Sequence, residues 1–251
     1  VVARMKIDER GLPRARRAHH RDPLAGLDPE RDRVERLERP VRPRDLLDLN
    51  ILVTAGPTQE PLDPVRVITN RSSGRMGYAV AQAAAARGAK VTLISGPTAL
   101  PRPAVSEFVL VQTAAEMHQA ALARFDRADV TIGVAAVADW RPVHARESKM
   151  NKNAGAPKID WEPTPDILAD LGRCKRDNQI LVGFSLETDS RRLESSAKLE
   201  MKNLDLLVAN NPTQPGSEFG GNTNEAIFTT RDGGTEHTGI VSKLDLAHLI
   251  L

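Results

Sequence analysis

The chain has 251 residues, one cysteine and a formal net charge of +2 from 35 basic and 33 acidic side chains. The single cysteine excludes an internal disulfide framework and a multi-cysteine zinc site, and it suits a reducing cytoplasm, where we expect the protein to reside. The small net charge and the aromatic content of 3% do not favour a nucleic-acid partner, and the longest apolar run, residues 130–138, is too short to cross a membrane.

Residues 1–50 differ in composition from the rest of the chain. They contain 13 Lys or Arg, 10 Asp or Glu and no aromatic residue. Such a segment buries too little apolar surface to offset the entropy lost on ordering. We therefore predict a charged linker or tail over residues 1–50 and one folded domain over residues 51–251.

From residue 51 onward, apolar β-rich runs alternate with helical stretches. The predicted strands cover residues 51–55, 91–95, 107–111, 130–134, 180–184, 204–209 and 226–230. The predicted helices cover residues 74–87, 113–125, 165–171, 190–201 and 242–250. Regular alternation with fully apolar strands predicts a Rossmann-like α/β fold, with a doubly wound, mostly parallel sheet covered by helices on both faces. Ligands of such sheets bind beyond the carboxyl ends of the strands.

Small hydroxyl residues precede the first predicted helix. Ser72 or Ser73 is expected to be its N-cap, and Gly88 is expected to follow its last turn. Free N–H groups and the positive end of the helix favour a phosphate at this point, and Ser72, Ser73 and Gly74 would let it approach closely. An ordinary serine cap without a ligand is the alternative interpretation.

Two common nucleotide-binding patterns are missing from the sequence. No Gly-Lys-Ser/Thr P-loop is present, and the only tyrosine, Tyr78, is followed four residues later by Gln82 rather than by the lysine of a short-chain dehydrogenase. Ser95 at the end of the second strand is followed by Gly96 and not by an acid that would bind a ribose. An NAD(P)-dependent reductase is therefore an alternative that these residues disfavour.

Six motifs occur in order from residue 55 to residue 206. They are AGPT at 55–58, DPVR at 63–66, NRSSGRMG at 70–77, AAVADW at 135–140, GFSLET at 183–188 and KNLDL at 202–206. Through these motifs the chain resembles the phosphopantothenoylcysteine synthetase domain, the second enzyme activity of the bacterial bifunctional coenzyme A biosynthesis protein. The resemblance covers residues 51–251 and does not extend to residues 1–50.

The resemblance implies a ligase reaction. The carboxylate of 4′-phosphopantothenate would attack the α-phosphate of CTP to give an acyl-cytidylate and pyrophosphate, and the amine of L-cysteine would then displace CMP. Mg²⁺ is expected on the triphosphate. No FMN is expected in this chain, because the flavin belongs to the decarboxylase half of the bifunctional protein. A homodimer is expected, and the choice between CTP and ATP stays open because some relatives use ATP.

The resemblance also implies residue roles near the acid substrate. Asn70 would handle the acyl-cytidylate during the cysteine step, and Arg66 would contact a phosphate or carboxylate. Ser72, Ser73 and Gly74 would hold the phosphate of phosphopantothenate. Small residues would admit the ligand at the end of the fourth strand, namely Ala135, Ala136, Val137 and Ala138.

A second set of residues is implied for the nucleotide. Its members are Asp139, Lys149, Pro165, Asp166, Ile167, Leu168, Phe184, Lys198 and Lys202, and no metal ligand is assigned. Lys149 would lie in a mobile β-hairpin flap. This flap departs from the family pattern Lys-x-Lys-Lys, since Asn151 replaces one lysine. That replacement is the one feature that favours a non-catalytic nucleotide-binding module instead of an enzyme.

Overall fold

The computed structural model describes residues 45–151, 153, 155, 157–186, 192–210 and 221–251. The strands in these ranges are β1 (Asn50–Ala55), β2 (Gln59–Pro61), β3 (Val67–Thr69), β4 (Lys90–Ser95), β5 (Glu107–Leu110), β6 (Val130–Gly133), β7 (Trp140–Pro142), β8 (Trp161–Pro163), β9 (Ile180–Leu186), β10 (Leu206–Asn210), β11 (Thr223–Thr230) and β12 (Thr235–Ser242). The helices are α1 (Arg75–Ala86), α2 (Ala114–Phe125), α3 (Ile167–Cys174), α4 (Arg192–Met201) and α5 (Lys243–Ile250). None of these helices is long and apolar enough to span a membrane.

Eight strands form one sheet in the order β12-β11-β10-β9-β6-β1-β4-β5. The strands from β10 to β5 are parallel, and β11 and β12 join antiparallel at one edge. The chain leaves β1 towards β4 and later returns to the other side of β1 through β6, so the strand order reverses between β1 and β6. The predicted Rossmann-like class is therefore confirmed, and the reversal marks the place where such sheets open a crevice.

Helices cover both faces of this sheet. Ile51, Val53 and Ala55 belong to the apolar cluster that contains α1 and α5, whereas Leu52 belongs to the cluster that contains α2, α3 and α4. Successive side chains of a strand point to opposite faces, so a strand buried on both sides must be apolar throughout. This explains the apolar run of residues 51–53 in β1.

The ends of two helices test the capping predictions. α2 begins with a capping box at Thr113 and Glu116, a spacing that the sequence predicts. Thr113 accepts from the N–H of Glu116, and the Glu116 carboxylate accepts from the N–H of Thr113. At α1 the predicted serine cap is wrong. The N-cap is Gly74, which has φ of 76° and gives no side-chain cap. A Cβ on Gly74 would lie 2.7 Å from the Thr98 methyl group, so the crossing of two loops here requires glycine.

Two hairpins and one edge strand complete the fold. β7 pairs with β8 in an antiparallel hairpin, as the flap prediction expects, whereas the β2–β3 hairpin and the half-exposed edge strand β12 were not predicted from the sequence. Strands of three residues are too short to show a period, and β12 is polar because one face is solvated. The β7–β8 hairpin encloses residues 143–160 and so contains the predicted lysine flap. Lys152 of that flap lies outside the described residues.

The fold begins before residue 51. Leu46 is fully buried and its N–H donates to the carbonyl of Arg87. The Arg87 guanidinium donates to both carboxylate oxygens of Asp45, at 2.7 and 2.5 Å. Residues 45–50, predicted as part of the charged segment, therefore belong to the folded domain. Residues 1–44 lie outside the described part of the chain, and the linker or tail stays a prediction there.

The Asp45–Arg87 pair gives the stability a defined pH dependence. The hydrogen bonds from Arg87 hold the pKa of Asp45 below its ordinary value. A carboxyl group with a lowered folded-state pKa stabilises the protein above its unfolded-state pKa, and this contribution is lost as the pH falls through the folded-state pKa. We expect Asp45→Asn to lower the free energy of unfolding at pH 7 by about 1 kcal/mol, a value that allows for the partial exposure of the pair.

Urea denaturation at pH 7 and at pH 3 measures this effect. The difference between the wild type and Asp45→Asn should shrink at pH 3. Asp48→Asn is the matched control, because Asp48 is an exposed carboxyl group in the same turn. Equal losses in the two variants at pH 7 would contradict a stabilising role for the pair.

Candidate functional site

A cavity of about 880 Å³ lies at the carboxyl ends of β1, β6, β9 and β10. It is placed where the strand order reverses, as expected for this class of sheet. The cavity extends over the edge of the sheet from the face covered by α1 and α5 to the face covered by α3 and α4. It therefore has two sides, which we call the α1/α5 side and the α3/α4 side.

The first turn of α1 forms the α1/α5 side. Ser72, Ser73 and Gly74 line the cavity there, as the phosphate prediction requires. The first N–H groups of α1 have no side-chain cap, so they stay available to an anion. A Cβ on Gly77 would lie only 2.5 Å from the Cβ of Ala55, which shows how closely the helix approaches β1.

Asn70 and the loop after β6 form the middle of the cavity. The Asn70 Nδ2 atom donates to the carbonyls of Val137, at 2.9 Å, and Ala136, at 3.3 Å. The same loop is held to the loop after β1, since the N–H of Ala138 donates to the Thr58 hydroxyl at 2.9 Å. The predicted small-residue wall, residues 135–138, is thus a fixed surface of the cavity.

Two lysines of the α4 region reach the α3/α4 side. Lys202 Nζ lies 2.9 Å from a carboxylate oxygen of Asp166, and Lys198 Nζ donates to the Ser185 hydroxyl at 3.0 Å. Asp166 is also the N-cap of α3, where it accepts from the N–H of Ala169. The start of α3 and the lysine pair are therefore linked, and Pro165, Ile167 and Leu168 line the cavity beside them.

Phe184 lines the cavity on the α1/α5 side. It packs against the apolar cluster of α1 and α5, since neighbouring residues of a strand point to opposite faces and Ser185 points to the α3/α4 side. The structure thus separates Phe184 from the start of α3, although the sequence analysis assigned both to the nucleotide. Asp139 also lines the cavity and is exposed.

Charge is unevenly distributed along the cavity wall. Among the described residues that line it, five are cationic and two are acidic. The acids are Asp139 and Asp166, and the cations are Arg71, Arg75, Lys198, Lys202 and Lys243. A concave site with excess positive charge and open helix N–H groups favours ligands that carry several phosphate charges.

Arg66 and Lys149 are not among the residues that line the cavity. Arg66 instead donates to the carbonyl of Met150 at 3.0 Å and lies 3.7 Å from the buried Asp63 carboxylate. Asp63 accepts the N–H of Met150 at 3.1 Å and those of Val65 and Arg66 at 2.8 and 2.9 Å. The segment that contains Lys149 is therefore attached to the Arg66 loop.

Burial raises the pKa of Asp63, but the three N–H donors and the Arg66 charge outweigh it and bring the pKa below the ordinary value. Asp63 is thus held as a carboxylate that fixes the base of the flap.

Lys243 and Arg75 are cavity residues to which the sequence analysis gave no role. Each is the first residue of its helix. A cation is electrostatically unfavourable at a helix N-terminus, and this was the signal in the sequence that could have identified them. The pKa of Lys243 is lowered by burial and then by the nearby Arg75 guanidinium.

The described residues contain no group of three or more His, Cys, Asp or Glu side chains that could hold a metal ion. Mg²⁺ in phosphate-binding sites is commonly held by one or two carboxylates together with the phosphates of the substrate. Both acids that line the cavity are exposed. Asp166 pairs with Lys202, whereas Asp139 has no ion pair among the described residues. The wall therefore fits a cation that binds together with a nucleotide, with Asp139 as its candidate protein ligand.

The family comparison covers the folded domain. Residues 46–251 match the model of the DNA/pantothenate metabolism flavoprotein C-terminal domain. The chain belongs to this family. Its match begins at Leu46, where the folded domain begins to contribute to the core.

The relatives of this chain include bifunctional proteins. The chain is 45% identical over 203 residues to the coenzyme A biosynthesis bifunctional protein CoaBC of Bacillus subtilis, which covers 80% of this chain and 50% of that protein. It is 44% identical over 192 residues to CoaBC of Escherichia coli K12, covering 75% of this chain and 47% of that protein. The chain thus spans about half the length of these relatives.

Solved structures share the fold. The crystal structure of the C-terminal domain of CoaBC superimposes with a TM-score of 0.70 at 39% identity, covering 82% of this chain and 94% of that one. A Cab2 H337A mutant in complex with phosphopantothenate-cysteine has a TM-score of 0.60 at 18% identity, covering 79% and 83% of the two chains. The latter likeness is one of fold alone.

The attachment of the flap can be tested by amide exchange. Asp63→Ala removes the acceptor of the Met150 N–H, so exchange in residues 146–151 should accelerate about 10- to 100-fold, the loss expected for a hydrogen bond to a charged group. Hydrogen–deuterium exchange with mass spectrometry measures it, and the β4 peptides serve as an internal reference. Asp48→Ala is the control variant. Unchanged exchange in residues 146–151 would show that Asp63 does not hold the flap.

Proposed function

We propose that the chain is a phosphopantothenate–cysteine ligase that uses CTP. The observation that carries the proposal is a single cavity with cations on both sides and Asn70 with its small-residue wall between them. Two phosphate-bearing substrates can enter from opposite faces of the sheet and meet at Asn70. The CoaBC relatives are named for coenzyme A biosynthesis, and the Cab2 H337A mutant is solved in complex with phosphopantothenate-cysteine. Both names support this substrate pair.

In the first step, a carboxylate oxygen of 4′-phosphopantothenate attacks the α-phosphorus of CTP. The bond from this phosphorus to the β-phosphate oxygen breaks, and pyrophosphate leaves. Lys198 and Lys202 stabilise the triphosphate charge from the α3/α4 side. The phosphate of the acid substrate lies at the first turn of α1, near Ser72, Ser73 and Gly74.

In the second step, the amine of L-cysteine attacks the acyl carbon, the bond to the CMP oxygen breaks, and the amine nitrogen loses a proton to solvent. Both carbonyls beside Asn70 are acceptors, so its NH₂ group is committed to them. The side-chain oxygen of Asn70 is therefore the atom that can accept from the attacking amine. This orientation gives Asn70 its proposed role in the cysteine step.

Lys149 must move to act on the triphosphate. It is exposed and lies outside the cavity, in the connection between β7 and β8. We propose that this connection closes over a bound nucleotide and brings Lys149 to the phosphates, with Asn151 reducing the charge that the flap delivers. When bound, Mg²⁺ would neutralise part of the triphosphate charge, and we propose Asp139 as the residue that would hold it.

The base is proposed to bind at the start of α3. Residues 165–168 line the cavity there, and their backbone groups are proposed to read a cytosine edge. We propose CTP as the nucleotide because of the family resemblance, and measurements of pyrophosphate release can compare it with ATP. We also propose that this domain acts in the cytoplasm and that FMN belongs to the other half of the bifunctional relatives.

A homodimer is proposed from exposed apolar side chains on two neighbouring hairpins. β2 packs against β7, and the two hairpins together expose Val65, Val67, Ile68, Trp140, Val143 and Trp161. A concentration of exposed apolar side chains is typical of a protein–protein interface. Arg66 lies within this surface and does not line the cavity of its own chain. We therefore propose that Arg66 of one copy contacts the substrate bound by the other copy.

The first assay measures pyrophosphate release with 4′-phosphopantothenate, Mg²⁺ and either CTP or ATP, with and without L-cysteine. Repeated turnover should require cysteine and prefer CTP. Lys202→Gln should raise the KM for CTP about 10- to 100-fold, since a charge-assisted contact to phosphate is lost. Lys90→Gln, at the opposite end of the sheet, is the control. Absence of release from folded wild-type protein with both nucleotides would favour the non-catalytic module.

Sedimentation velocity tests the dimer. The wild type should sediment as a dimer at micromolar concentration, and Val67→Glu should shift it to monomer because it places a charge in the apolar surface. Leu110→Glu, on the edge strand β5, is matched in chemistry and should leave the dimer intact. A monomeric wild type would overturn this part of the proposal.

A further inference from the structure

Two helices begin with a cation at the same side of the cavity. Arg75 is the first residue of α1 and Lys243 is the first residue of α5, and both line the cavity. The N-terminus of a helix already carries partial positive charge, so a cation there costs stability in the absence of an anion. The convergence of two such ends concentrates positive potential at one point of the wall.

Within the described part of the chain, the side-chain hydrogen-bond partners of these two cations are uncharged groups. Lys243 Nζ donates to the carbonyl of Gly221, and the Arg75 guanidinium donates to the side-chain oxygen of Asn222 at 2.5 Å. These partners are uncharged. Of the two acids that line the cavity, Asp166 is paired with Lys202 on the α3/α4 side. Burial and the proximity of Arg75 lower the pKa of Lys243, as expected for a cation that is close to another cation.

We propose that Lys243, together with Arg75, binds the phosphomonoester dianion of the acid substrate and thereby selects the phosphorylated acid over the unphosphorylated one. This inference rests on the proposed ligase function and adds a specificity determinant to it. Ser72, Ser73 and the N–H groups of α1 would orient the phosphate, while the two cations would supply the charge that recognises a dianion.

The triphosphate is a less suitable ligand for this pair. Lys198 and Lys202 lie on the α3/α4 side, across the edge of the sheet from α5. A purely structural role for Lys243 is also insufficient, since an uncharged donor can satisfy the Gly221 carbonyl equally well. Asp245 is the acid in the first turn of α5, but its carboxylate accepts from the Ser242 hydroxyl at 2.6 Å. A phosphate bound in the cavity would add an anion on the side of Lys243 that faces the ligand.

The test compares two acid substrates. For Lys243→Gln, kcat/KM for 4′-phosphopantothenate should fall about 10- to 100-fold, whereas kcat/KM for pantothenate and the KM for CTP should stay near the wild-type values. Lys243→Arg should retain most of the preference for the phosphorylated acid. Arg75→Gln should also lower the preference for the phosphorylated acid. Because Arg75 is exposed, this variant provides the test if Lys243→Gln does not fold. Lys90→Gln is the matched control.

Three outcomes would overturn the inference. They are an unchanged preference for the phosphorylated acid, equal losses with both acids, and a rise in the KM for CTP instead. If the wild type releases no pyrophosphate, the ligase proposal fails, and calorimetric titration with 4′-phosphopantothenate tests the site by itself. Binding by the wild type that is lost in Lys243→Gln, but not in Lys90→Gln, supports the phosphate site. Equal binding by all three proteins, or none by the wild type, refutes it.

Discussion

The close approach of α1 to the end of β1 is the constraint on which the cavity depends. A Cβ on Gly77 would overlap the Ala55 side chain, and a Cβ on Gly74 would overlap Thr98. Glycine at these two positions lets the helix start close to the strand end, so its first turn, which has no side-chain cap, lines the crevice. A larger residue at either position would lift the helix away from the sheet and remove the anion site.

The two sides of the cavity treat positive charge differently. On the α3/α4 side, Asp166 holds Lys202 in place before any ligand binds. A nucleotide phosphate must therefore compete with Asp166 for Lys202 or share the lysine with it. The ion pair thus lowers the net affinity for the nucleotide but keeps the lysine oriented. On the α1/α5 side, Lys243 and Arg75 contact only uncharged groups among their described hydrogen-bond partners. A phosphate bound there relieves repulsion instead of breaking an ion pair.

The sequence predicts those features that are determined locally. Long apolar strands and helices of ten or more residues carry a clear pattern, and the Thr113–Glu116 capping box is a contact between neighbours in the chain. The N-terminus of α1 could not be predicted in this way, because the need for Gly74 arises from Thr98, far away in the sequence. The sequence marks Lys243 only as a cation at the start of a helix. Its place in the cavity comes from the packing of α5 beside α1, which is a contact between distant segments of the chain.

The positions of Arg66 and Lys149 connect the flap to the surface of the two hairpins. Asp63 accepts from both the Arg66 and the Met150 backbone, so a movement of the flap cannot leave the Arg66 loop unaffected. That loop lies beside the exposed side chains of Val65 and Val67, which form part of the proposed dimer surface. If a second copy covers this surface, it restrains the loop, and through Asp63 it restrains the base of the flap. Closure over a nucleotide and association of two chains would then depend on the same buried carboxylate.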